Sequence, residues 1–242
     1  MSRQATSTLA KLRPAKVRSA LTRRWFEQQL GALTASGRGG PILLGTDYGG
    51  WLVPGDLTRP GWTCWSVGAG GDISFDLELI RHFGVTVRSV EPEETYVSRA
   101  RETAGAETRF SVIHAAIATQ DAPLRMQRTH IPGSRSLSSA KLYDTKETSI
   151  EVPGRTLGSL AAELGDDRID LLKIDIEGAE YDVLPTIDYE GLGVKVLATQ
   201  LHHNRGVAAA RKLIAELEAR GFERVAMRHP IKLTFARRDL LG

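Results

Sequence analysis

Residues 62–83 read WTCWSVGAGGDISFDLELIRHF, and the order of events in this stretch decides the fold. An apolar run from Trp62 gives way to the turn Gly68-Ala69-Gly70-Gly71, and helical spacing follows. Ile73, Leu77 and Ile80 recur at i, i+4 and i+7, which is one apolar helix face. Asp72 stands where a helix N-cap belongs. A strand, a glycine turn and a helix start form a nucleotide pocket when free N–H groups face a ligand that the glycines let approach. The next apolar run, Val85 to Val90, ends on Glu91, 23 residues after Gly68. That is the spacing at which an acid meets ribose hydroxyls in such folds.

The turn alone is also compatible with an ordinary βα connection that binds nothing. A dinucleotide fingerprint needs a third glycine for close helix–strand packing, and Ile73 holds that place. A nicotinamide dehydrogenase is therefore disfavoured, while a nucleoside ligand without a pyrophosphate stays open.

Composition sets the outer bounds. With 242 residues, 41% hydrophobic and 25% charged, the chain is expected to form one α/β domain with a real core. No stretch reaches 18 uncharged apolar residues, so no membrane-spanning helix is expected. The single cysteine, Cys64, lies in an apolar run and reads as a small buried hydrophobe. Residues 1–38 carry eight Arg and Lys against Glu27 alone, a net +7. The whole chain is +3, so residues 39–242 carry −4. A basic body of the kind that binds nucleic acid is absent.

Read in order, residues 1–40 form a basic N-terminal extension and residues 41–242 the main domain. Leu9, Leu12, Val17 and Leu21 suggest a loosely amphipathic basic helix. It reads as a solvated terminus, as a contact for an acidic or membrane surface through residues 1–24, or as an organellar transit segment. Short strands are expected within 42–54. A βαβαβ run follows: strand 64–67, helix 73–83, strand 85–90, helix 94–103 and strand 110–117. That order argues for a doubly wound, mostly parallel sheet. The pattern dissolves between Ala118 and Ile150, where IPGSRSLSS (131–139) suggests a long loop, either a lid or a surface excursion. A short helix (157–164), strands 169–176 and 194–201, a helix (207–220) and a closing antiparallel pair (224–227 and 231–236) complete the domain.

The second informative stretch is IDLLKIDIEGAE, residues 169–180. In a strand, Lys173, Asp175 and Glu177 share one face and climb toward the carboxyl end, where ligands of open α/β sheets sit. Charged side chains there are costly unless paired or used. A Lys173–Asp175 pair, with Glu177 near a helix N-terminus, is the bland alternative. His202-His203 ends the next strand and should lie on the same sheet edge.

The strings SVGAGGDISFDLELI, SVEP, HAAIA and IDLLKIDIEGAEYDVL, in this order over roughly residues 51–222, resemble the FkbM family of S-adenosylmethionine-dependent methyltransferases. The resemblance implies a class I methyltransferase fold, Rossmann-like and seven-stranded with an antiparallel end. It implies O-methylation of a sugar or natural-product hydroxyl. It places Val67, Gly68, Ala69, Gly70 and Asp72 around the methionine part of the cofactor, Glu91 and Pro92 at the ribose, Ala115 and Ala116 at the adenine, and Asp175 beside the sulfonium. Two positions depart from the family: Gly71 replaces an acid of a GED string, and Gln200 replaces the acid that opens an EFHH-like string.

The expectation is thus an S-adenosylmethionine-dependent O-methyltransferase of a small hydroxylated acceptor, cytoplasmic, with Asp175, Glu177, His202 and His203 as the catalytic candidates. These groups serve as bases or as an oxygen/imidazole metal site. A divalent metal is not favoured, because Gln200 stands where an acid is usual. The rivals are an RNA methyltransferase, against which the −4 body speaks, and a cofactor-binding scaffold without turnover.

Overall fold

The computed structural model describes residues 14–128, 137–139 and 149–242, the side chains of 14–20 and 128 excepted. Helix α1 (Pro14–Gly31) leads to a hairpin of β1 (Pro41–Leu44) and β2 (Trp51–Pro54). Then come β3 (Thr63–Val67), α2 (Ser74–Phe83), β4 (Thr86–Glu91), α3 (Glu94–Ala104) and β5 (Phe110–His114). Four strands follow: β6 (Ala116–Ile117), β7 (Ala122–Arg128), β8 (Leu137–Ser138) and β9 (Ser149–Arg155). The chain continues through α4 (Leu157–Leu164), β10 (Leu171–Ile174), α5 (Glu180–Val183), β11 (Val196–Gln200) and α6 (Gly206–Ala219). It closes with β12 (Phe222–Arg228) and β13 (Lys232–Arg237).

The main sheet has the order β12-β13-β11-β10-β3-β4-β5. Its five strands from β11 to β5 are mutually parallel; β13 pairs antiparallel with β11, and β12 pairs antiparallel with β13. This is the seven-stranded class I methyltransferase sheet with its antiparallel end. Both faces are covered, which the apolar runs foretold. Trp65 and Val67 of β3 join one core with Leu172 and Ile174 of β10, while Cys64 and Leu171 point into the other. From β3 the chain winds outward through β4 and β5, then returns to lay β10 on the opposite side of β3. The order reverses between β3 and β10, and that crevice is where open sheets bind ligands.

Three local expectations shift. The stretch expected as a loop from Ala118 to Ile150 contains β7 and the start of β9, paired in a second sheet of order β6-β9-β7-β8. Of β7 only Met126 is fully buried, in a small core with Ala116, Leu137 and Val152. Ala122 and Leu124 are half-buried and Pro123 and Arg125 exposed, a weak alternation with one fully buried residue among the described side chains. Residues 131–136 of the candidate lid lie outside the described residues. Strand β10 ends at Ile174, so Asp175 and Glu177 belong to the loop beyond it. Helix α2 starts at Ser74, and Asp72 Oδ1 accepts the Ser74 N–H at 2.9 Å, one residue from the expected cap geometry.

Among the described side chains of helix α1, those near its end are the ones packed into the core. Phe26 and Leu30 are buried in the main core, whereas Leu21 and Trp25 are exposed. Deleting residues 1–24 is therefore expected to leave fold and melting temperature intact. A large loss of melting temperature in the truncated chain would show that the segment packs on the domain.

Candidate active site

The crevice opens into a cavity of about 880 Å³, at the upper end of the range for ligand sites and roomy enough for two small molecules. Every residue named above for the cofactor lines it: Val67, Gly68, Ala69, Gly70, Asp72, Glu91, Pro92, Ala115, Ala116 and Asp175.

Gly68 makes the crevice narrow. Its φ is +75°, and a Cβ built on it would lie 1.8 Å from the Asp175 carbonyl oxygen, so only glycine lets β3 and β10 end this close together. The Gly68 N–H donates to Val90 O (2.8 Å) and the Asp175 N–H to Val67 O (3.0 Å). Lys173 sets the same turn from below, donating to Val67 O (3.3 Å) and Gly68 O (2.5 Å). The lysine thus bonds to backbone oxygens at the head of the glycine turn, a role its place in the strand pattern did not suggest. Gly70 (φ +62°) has nothing near the position of a Cβ.

Glu91 is buried at the end of β4, and its two carboxylate oxygens accept the N–H groups of Gly70 (2.8 Å) and Glu93 (2.9 Å). Burial pushes its pKa up to about 7, against the pull of those two N–H donors. The carboxylate is already aimed at the glycine turn, and each oxygen keeps a lone pair for a further donor.

On the far side of the crevice stands an acid–imidazole cluster. His202, just beyond β11, places Nδ1 3.0 Å from Glu180 Oε1 and Nε2 3.4 Å from Glu177 Oε2 and 4.0 Å from Asp175 Oδ1. Glu180 is completely buried in the first turn of α5, and its Oε1 also accepts the Ile176 N–H at 2.9 Å. Glu177 reaches the cluster through a left-handed backbone, φ 54°, uncommon for a residue with a side chain. Ser138 of β8 donates to the Glu177 carbonyl at 2.6 Å, tying the small sheet to this loop. Burial raises the pKa of Asp175, with Lys173 and His202 opposing. Burial works against a charged His202 ring, yet Glu180, Glu177 and Asp175 carry its pKa well above the usual value.

Asp175, Glu177 and His202 are therefore brought together, and His203 is not. His203 opens the turn after β11 and faces α1; burial, then the His202 ring and Arg23, lower its pKa. Glu180 is the member of the site that the sequence reading missed. The signal was in the IEGAE string, but an acid in the first turn of a helix has a sufficient reason to be there without a site. Tyr48 and Lys232, on the β1–β2 loop and the start of β13, also line the cavity. The Lys232 ammonium donates to Tyr48 O (3.0 Å) and sits 4.7 Å over the Trp51 ring.

The profile of the methyltransferase FkbM domain matches residues 69–224, which hold the glycine turn after Gly68, Glu91 and the whole acid–imidazole cluster. The chain belongs to the FkbM methyltransferase family. No curated protein matches it. Among solved structures, the fibrillarin pre-rRNA processing protein of Methanococcus jannaschii is 10% identical over 75% of this chain and 69% of its own, with a TM-score of 0.45. Precorrin-6y C5,15-methyltransferase of Geobacter metallireducens is 13% identical over 93% and 90%, with a TM-score of 0.39. An S-adenosylmethionine-dependent methyltransferase of Geobacter sulfurreducens, solved with S-adenosyl-L-homocysteine, is 12% identical over 70% and 61%, with a TM-score of 0.37. Methyl transfer is the reaction class of this FkbM protein. No helix among its described residues is long and apolar enough to cross a membrane.

Proposed function

We propose that this FkbM protein transfers the methyl group of S-adenosylmethionine to a hydroxyl of a small acceptor, a sugar or glycosylated natural product. One observation carries the reading: a glycine cradle with a buried acid on one side of the β3/β10 crevice, and proton-accepting groups on the other, in a single cavity. The cofactor supplies a methyl group activated on a sulfonium. The residues present fit it. Glu91 offers two directed oxygens to a ribose diol, and the open space at Gly70 leaves room for backbone contact. Ala115 and Ala116 offer small, buried apolar surface for a base.

What the chain must add is alignment and removal of a proton. A hydroxyl is a poor nucleophile while protonated, and Asp175 and Glu177 line the cavity, with the His202 ring beside both carboxylates. Their presence favours a hydroxyl over an acceptor that reacts without losing a proton to a base. The cavity is also lined by Glu27, Asp47 and Asp72. That acidic rim, with the −4 body, favours a small acceptor over RNA.

Calorimetry of the full chain with S-adenosylmethionine, followed by a screen of hydroxylated acceptors read by mass spectrometry, tests the proposal. NADH binding more tightly than S-adenosylmethionine would overturn the cofactor class. Glu91→Ala should weaken cofactor binding by about 1.5–3 kcal/mol, the range for hydrogen bonds to a charged group. Unchanged calorimetric affinity in that variant would remove Glu91 from the cofactor site.

A further inference from the structure

The connection between β1 and β2, GTDYGG (residues 45–50), is fixed from two sides. On the cofactor side, the Gly45 N–H donates to Glu78 Oε2 (2.5 Å) and the Thr46 N–H to Ser74 Oγ (2.9 Å), both on α2. The Thr46 hydroxyl donates to Asp72 Oδ2 (2.5 Å), directly after the glycine turn. On the other side, Arg228 of β12 donates to Thr46 O (3.2 Å) and Gly50 O (3.0 Å) and pairs with Asp47 (3.2 Å). Lys232 of β13 donates to Tyr48 O (3.0 Å) and Gly50 O (3.4 Å). The tip is also tight: a Cβ at Gly49 would lie 2.6 Å from Asp72 Oδ2, and one at Gly50 2.4 Å from Thr46 O. The backbone of the connection is thus held by α2, β12 and β13 at once.

Its one large side chain is not packed away. Tyr48 lines the cavity, and yet 82% of its surface is exposed. Partial burial of the phenol, then the charges of Glu177 and Asp175, raise its pKa, which puts the ring within range of the acid–imidazole cluster. A lone exposed tyrosine on an open surface needs no explanation. This one stands at a cavity on a backbone that cannot shift. A ring preset in this way has two side-chain torsions and offers contact area at little entropic cost.

The surroundings of the ring say what it suits. Asp47, Asp72, Asp175 and Glu177 line the same cavity, and each carboxylate can accept several hydrogen bonds. A ligand that matches both features has an apolar face for the ring and an edge of hydroxyl donors for the acids. A pyranose has that shape, with C–H groups on its face and hydroxyls around its edge. A flat aromatic acceptor brings the face with few donors, and an anionic acceptor meets like charge.

We propose that Tyr48 is the platform on which the sugar ring of the acceptor rests. The role rests on the function proposed above and names the residue that positions the acceptor. The bond from Thr46 to Asp72 ties the platform to the glycine turn, so a ring seated on Tyr48 keeps a set distance from the cofactor side. Methyl transfer needs that alignment.

The test uses the full chain, S-adenosylmethionine and a panel of methyl glycosides: hexopyranosides, deoxyhexopyranosides and pentopyranosides. Transfer is read by mass spectrometry, and kcat and KM are measured on the best glycoside for wild type, Tyr48→Ala and Tyr48→Phe. Saturation-transfer NMR of that glycoside, with S-adenosyl-L-homocysteine present, gives a readout apart from turnover. Tyr48→Ala is expected to raise KM at least ~10-fold, the scale for truncating a tyrosine that anchors a ligand. It should also weaken saturation of the sugar's C–H protons. Melting temperature and S-adenosylmethionine affinity should hold, because the side chain is exposed. Tyr48→Phe keeps the ring and should stay within a few-fold of wild type. An unchanged KM in Tyr48→Ala overturns the platform. So does a Tyr48→Phe variant as impaired as Tyr48→Ala, since the hydroxyl and not the ring would then hold the acceptor. Wild type that binds S-adenosylmethionine but methylates no glycoside overturns the sugar platform and leaves the methyltransferase reading standing. A chain that does not bind S-adenosylmethionine removes both.

Discussion

Asp175→Asn is expected to lower methyl transfer by at least ~10²-fold, the lower end for loss of an acid–base catalyst, while the fold survives. The substitution keeps the volume and the backbone N–H that donates to Val67 O, so the junction of β3 and β10 is unchanged. It removes the charge that stands 4.0 Å from His202 Nε2. Stability is pulled both ways. Burial already disfavours the charged carboxylate, and losing it relieves that cost; Lys173 and His202, which favour the charge, lose a partner. A small net change in melting temperature is expected, and cofactor affinity should stay within a few-fold. The measurement is a single-turnover rate on an acceptor found by screening, beside calorimetry and a thermal melt. Full activity in this variant would make the carboxylate structural and move the chemistry elsewhere in the cavity.

The sheet was legible because its strands are covered on both faces. Val85, Val87 and Val90 are buried with Thr86 and Arg88 half-buried between them, and Leu171 to Ile174 is broken only by Lys173; short runs of this kind between helix-period segments read as strands. The small sheet was not read, since among the described side chains of β7 only Met126 is fully buried and the alternation of Ala122, Leu124 and Met126 with Pro123, Arg125 and Gln127 is short. The same contrast holds in the site. Glu91 could be placed because it closes the run that forms β4, and Asp175 because the run 169–176 carries it toward a carboxyl end, although β10 stops one residue before it. His202 and His203 could not be separated, because which of two adjacent side chains faces the crevice depends on where the turn after β11 begins. Glu177 was expected beside Asp175 by strand alternation. It arrives there by another route: β10 ends early, and a left-handed residue turns the side chain back toward His202. Tyr48 and Lys232 come from elements far apart in sequence, and the bond from the Lys232 ammonium to Tyr48 O, with that ammonium over the Trp51 ring, is a property of the tertiary fold alone.

Gly68→Ala is the substitution expected to damage the fold most. The alanine methyl would lie 1.8 Å from the carbonyl oxygen of Asp175, a backbone atom that no rotamer change can move aside. Its φ of +75° adds strain for any residue with a Cβ. Relief requires β10 to withdraw from β3 at its carboxyl end. That would break the Asp175 N–H to Val67 O bond and disturb the carbonyls that Lys173 holds. A loss of roughly 3 kcal/mol is expected, in the upper range for single substitutions and of the kind caused by strain at a special backbone conformation. Gly70→Ala is the matched control. Its φ is also left-handed, at +62°, but nothing lies within 4 Å of the added methyl. Only the conformational term remains there, about 1–2 kcal/mol. Urea denaturation of both variants without cofactor separates the terms. Equal losses would show that backbone conformation alone accounts for the effect and that the close approach of β3 to β10 is not a constraint. A markedly larger loss at Gly68 would show that the crevice is held at the separation only glycine permits, with the acid–imidazole cluster on its far wall placed by the same contact.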